Sequence, residues 1–90
     1  MMVAPSLGAS GWWQGTATFA RPVRSDTAIL GGESVWRCQD TSCRGPVPDH
    51  PKSAERYCRQ LARWGGPLVK FQAGSVVFDA NALRHCNGGR

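Results

Sequence analysis

The sequence predicts a small α+β domain stapled by two disulfides, in the order β-β-α-β-β-α with a C-terminal hairpin. Three observations lead there. Ninety residues allow one domain with a limited core, so covalent or metal staples are valuable. Four cysteines are an even count in a short chain. One amphipathic pattern of helical period, PKSAERYCRQLARW, stands between stretches of strand-like composition. Eleven Gly and 6 Pro make turns frequent and long regular elements few. No stretch approaches the roughly 18 consecutive apolar residues of a membrane helix.

Residues 1–11 are small and Gly/Ser-rich and are expected to be a flexible segment ahead of a single domain over residues 12–90. Trp12-Trp13 ends that segment. At least one indole should cover the core, and stacking on a ligand is the alternative role. TATFARPV (16–23) suits a strand ending near Pro22. Ala28-Ile29-Leu30, just before Gly31-Gly32, fits either a hairpin arm or a loop. Residues 33–37 form the next strand, with Val35 and Trp36 on opposite faces. RGPVPDHP (44–51) holds three prolines and reads as an extended connector, neither helix nor central strand.

Asp49 or Ser53 then supplies an N-cap for the main helix. On its wheel Ala54, Cys58 and Leu61 share an apolar stripe flanked by Tyr57, Ala62 and Trp64. Gly65-Gly66-Pro67 stops it. Residues 68–71 are one hairpin arm, Ala73-Gly74 the turn and residues 75–78 the return. Asp79 caps a short last helix, ANALRHC, which Asn87-Gly88-Gly89 closes.

Cys58 lies on the buried stripe of the main helix, and Cys86 follows Leu83 and Ala82 on the apolar side of the last helix. Two helices packed on one sheet would bring these sulfurs together. Cys38 and Cys43 flank a polar turn that folds back on itself. Cys38–Cys43 and Cys58–Cys86 are therefore favoured among three pairings. Loop-closure entropy assigns roughly 3.6 kcal/mol to the longer loop and about 2 kcal/mol to the shorter. Zinc is the alternative: Cys38 and Cys43 make one marginal close pair, but Cys58 and Cys86 do not make a second. Neither pair has the C-x-x-C spacing at a helix start of a redox site.

No hydrolase, zinc-protease, phosphate-loop or dinucleotide signature is present. Asp40, Asp49 and Asp79 sit where turns and caps want carboxylates, and neither His has a nucleophile beside it. No catalytic residue, metal or cofactor is predicted, and the protein is not expected to be an enzyme. The net charge is +5, with nine Arg and two Lys. Lys52, Arg56, Arg59 and Arg63 recur at spacings of 4, 3 and 4 along the polar helix face, the most function-like feature. They suit an anionic partner; the plainer reading is a solvated face partly balanced by Glu55. Arg37 and Arg44 join them as candidates for an acidic contact. The aromatic interleaving of an RNA-binding sheet is missing.

Trp36-x-Cys38, Cys43 after its polar turn, Cys58 on a basic helix, Phe71, Gly74, Asp79-Ala80, Leu83 and Cys86-Asn87 together carry a resemblance. Over roughly residues 32–88 the chain resembles small four-cysteine exported proteins of Caulobacter- and Sphingomonas-type alphaproteobacteria. The resemblance implies a periplasmic or secreted protein with disulfides and supplies no active site. The sequence itself shows no basic, apolar export signal, its first cation being Arg21, although APSLGAS has the small-residue character of a cleavage region. Two expectations follow. The first is an exported, non-enzymatic domain that binds a protein or an anionic component of the cell envelope. The alternative is a zinc-stabilised cytosolic protein that binds nucleic acid or another polyanion through the same basic stripe.

Overall fold

Alternation of buried and exposed side chains dictates a one-sided sheet, and the computed structural model, which describes residues 11–88, has one. These residues form strands β1 (Trp12–Phe19), β2 (Thr27–Leu30), β3 (Ser34–Gln39) and β4 (Ser42–Pro48), then helix α1 (Pro51–Gly65). Strands β5 (Leu68–Ala73) and β6 (Val76–Val77) and helix α2 (Ala80–Cys86) follow. The six strands are ordered β2-β3-β4-β1-β5-β6 and every pairing is antiparallel. The α+β class holds, with two strands added before α1. The flexible segment expected over residues 1–11 lies outside the described residues except for Gly11, whose carbonyl accepts from Asp49 N–H at 2.9 Å.

β1 begins four residues earlier than its composition suggested and ends at Phe19. Beyond it the chain leaves the sheet and wraps the tip of the β3–β4 hairpin. Phe19 N–H donates to the Thr41 carbonyl and Val23 N–H to that of Asp40. Residues 28–30, open between arm and loop from composition alone, form the edge strand β2, paired with β3.

The prolines of residues 44–51 do not make a connector. β4 lies inside the sheet, paired with β1 from Trp12↔Pro48 to Thr18↔Ser42, while its pairing with β3 stops at Arg37↔Arg44. Cys38 and Cys43 stand opposite with Cα atoms 4.0 Å apart, the close spacing of a non-hydrogen-bonded pair. The backbone groups of Cys43, Gly45 and Val47 therefore face β1, and those of Pro46 and Pro48 face the side that β3 no longer lines. Proline is tolerated because the N–H it lacks has no strand to donate to. On that side the Trp36 indole Nε1–H donates to the Pro46 carbonyl at 3.0 Å.

Trp36 is fully buried and organises the core. Its ring lies over Gly15 and Gly45, which are register partners on β1 and β4. A Cβ at Gly15 would stand 2.6 Å from the indole, and one at Gly45 closer still. Phe71 stacks on the same indole, with centroids 6.3 Å apart. Two bare backbone positions thus make the floor that a large aromatic needs.

α1 covers this floor with Ala54, Tyr57, Cys58 and Leu61, so the apolar stripe read from the wheel is the packing face. Its cap is neither Asp49 nor Ser53: His50 Nδ1 accepts from Lys52 N–H at 3.1 Å, with Pro51 opening the helix. Pro51 fixes where the helix starts, and the residue before it becomes the cap. Tyr57 and Ser34 share a buried hydroxyl–hydroxyl hydrogen bond of 2.6 Å. Of the tandem tryptophans, Trp13 packs against the core and Trp12 is exposed. Trp64 is also exposed and meets Phe19 edge-on.

The C-terminal hairpin has Gly74, at φ 61°, and Ser75 between the paired Ala73 and Val76, one residue later than expected. Asp79 caps α2 as its sequence suggests, its carboxylate accepting from Ala82 N–H at 2.8 Å.

Candidate functional site

Helices on one side and alternation along the strands give the molecule two unlike surfaces. The outer side of α1 carries Lys52, Arg56, Arg59 and Arg63, all exposed. Cys58, on the inner side, is fully buried and bonded to Cys86 of α2, so the cationic stripe rides on a covalently anchored helix. Among the described residues the one ion pair is Arg59 with Glu55, at 4.0 Å and with both side chains more than half exposed. An exposed i,i+4 pair is worth only about 0.3–0.5 kcal/mol, so the stripe keeps its positive character.

The groove between α1 and α2 encloses about 490 Å³ and is lined by Glu55, Arg59, Phe78, Asp79 and His85, among others. Asp79 is engaged as the helix cap. A neighbouring depression, which shares Arg59, His85 and Cys86 with this groove, is lined by Arg63 as well. The chemistry of the groove is that of a polar cleft with a cationic rim.

The other surface is the uncovered face of the sheet. Because Trp36, Cys38, Cys43 and Gly45 point toward the helices, Arg37 and Arg44 point away from them. They are register partners, with Thr27 beside Arg37 and Thr16 beside Arg44. The structure therefore separates them from the α1 stripe, and one flat anionic surface cannot meet both groups together. Their mutual proximity was encoded in the chain. If Cys38 and Cys43 pair across a hairpin, the residues just outside them, Arg37 and Arg44, must also stand opposite one another.

All four cysteines are in disulfides, Cys38–Cys43 and Cys58–Cys86. That takes up the thiolates the zinc alternative needs, and among the described residues no group of three His, Cys, Asp or Glu is gathered for a metal. Nor is any helix there long and apolar enough to cross a membrane.

A family model described as "Family of unknown function (DUF8200)" matches residues 1–88. The chain belongs to this family. The matched span takes in every strand and helix of the described residues and both disulfides. Neither curated proteins nor solved structures yield a match.

Proposed function

We propose that this DUF8200 protein is an exported, non-enzymatic domain that binds an anionic component of the cell envelope, or an acidic protein there, through the outer face of α1. The observation that carries the reading is the alignment of Lys52, Arg56, Arg59 and Arg63 on one exposed stripe, with one weak ion pair among the described residues to offset them. A stripe of four cations on an anchored helix presents its charge without first having to be ordered.

Export is supported by the sulfur chemistry. Disulfides persist in oxidising compartments and are rare where glutathione keeps thiols reduced. The resemblance to four-cysteine exported proteins points the same way.

The test is a double reversal, Arg56→Glu with Arg59→Glu. Both side chains are exposed, so near-UV circular dichroism should be unchanged while retention on an anionic matrix at low salt falls sharply. Unchanged retention would sink the binding reading. The compartment is tested separately by intact mass. Protein recovered from its native compartment should gain four hydrogens on reduction, two per bridge; four free thiols would overturn export.

A further inference from the structure

On the uncovered sheet face, Arg37 and Arg44 occupy directly opposed positions of β3 and β4. Like charges placed so are destabilising. Neither is ion-paired with a carboxylate among the described residues, where the one ion pair is on α1. Around them lies a depression of about 340 Å³ whose lining includes Thr16, Thr18, Gln39 and Ser42, all able to donate hydrogen bonds. Two guanidinium groups and a ring of hydroxyl and amide donors make a site short of one thing, an anion.

The smaller disulfide lies directly behind this pair. Arg37 precedes Cys38 and Arg44 follows Cys43, so the bridge on the helix side ties the two strands one residue from the arginines. A short-loop bridge adds comparatively little through chain entropy. Here it reinforces the β3–β4 register beside two opposed cations, which is preorganisation.

We propose that Arg37 and Arg44 form a clamp for a phosphate group, a phosphomonoester or inorganic phosphate, held in register by the Cys38–Cys43 disulfide. A carboxylate offers two oxygens and is satisfied by one guanidinium fork. A phosphate dianion matches both charges and has oxygens enough for both forks and for the neighbouring hydroxyls. The opposed positions, about 5.5 Å apart at Cα in a hydrogen-bonded pair, let two forks converge on one tetrahedral group. Elsewhere on the same face, by strand alternation and register, Trp12, Ile29, Val35 and Val77 are exposed. A lipid headgroup is therefore one source of the phosphate and a soluble phosphate compound the other. The clamp is independent of the α1 stripe.

The experiment is a ¹⁵N–¹H chemical-shift titration with inorganic phosphate at low salt, paralleled by co-sedimentation with phosphatidylcholine vesicles with and without phosphatidic acid. Shifts are expected at Thr16, Thr18, Arg37, Ser42 and Arg44. Arg37→Gln and Arg44→Gln should each weaken binding about tenfold, as loss of a charge-assisted hydrogen bond implies. Arg44→Lys should weaken it less. Cys38→Ser with Cys43→Ser should weaken it while Cys58–Cys86 keeps the fold. Binding in either arm that the arginine substitutions abolish supports the clamp and identifies the source. Silence in both arms, or binding that survives Arg37→Gln with Arg44→Gln, overturns it. Arg56→Glu with Arg59→Glu should leave the phosphate shifts intact, so this clamp and the α1 reading fail separately.

Discussion

The side-chain amide of Asn87 closes both backbone positions of Leu68: Nδ2 donates to the Leu68 carbonyl and Oδ1 accepts from its N–H, each at 2.9 Å. Asn87 thus acts as one more strand residue beside the start of β5. It lies next to Cys86 and docks the end of α2 on the sheet. Asn87→Ala leaves two strand-edge groups without these partners, and Asn87→Asp removes the donor alone. We expect about 1–3 kcal/mol lost in the first and a smaller loss in the second, read from urea midpoints.

The two bridges should differ in weight. Cys58–Cys86 spans 28 positions and ties α1 to α2, whereas Cys38–Cys43 spans 5 within one hairpin. Replacing both cysteines of the long bridge by Ser should cost roughly 3.6 kcal/mol, against about 2 kcal/mol for the short one. Thermal melting of the two double variants gives the order directly, and a reversal would refute this ranking.

Gly45 has no room for a methyl group. Gly45→Ala pushes a Cβ into the Trp36 ring, an overpacking that should cost about 2–3 kcal/mol, or roughly 10–20 °C in Tm. Adding Trp36→Leu should make the two effects markedly less than additive, because the smaller side chain vacates the space the methyl takes. Additive losses would place the clash elsewhere.

The buried Ser34–Tyr57 hydrogen bond makes a cleaner pair. Tyr57→Phe strands the Ser34 hydroxyl and should cost about 1–3 kcal/mol, whereas adding Ser34→Ala should cost little more. Chemical denaturation of the four members of that cycle measures the coupling.

The helices, their faces and the pairing of the cysteines were legible because each rests on local rules. A 3.6-residue period placed Cys58 inward, and an aspartate before ANALRHC had to be a cap. The missed strand was illegible for a specific reason. Whether Pro46 and Pro48 fit a sheet depends on which neighbour their nitrogens would face, and that follows only from the β1 and β3 registers. His50 was hidden similarly: its capping role is set by Pro51. Of the candidate cations, the α1 stripe could be read from spacing alone. Arg37 and Arg44 became a pair only once the hairpin register was known.

The bridge between Cys58 and Cys86 has one more effect, on connectivity. It closes a covalent ring through the second half of α1, the β5–β6 hairpin and α2. A protease that cuts the exposed Gly74–Ser75 turn leaves both pieces tethered. While the ring is closed, the hairpin cannot be traded between two copies as an open-ended arm, which guards this weakly paired edge against domain swapping.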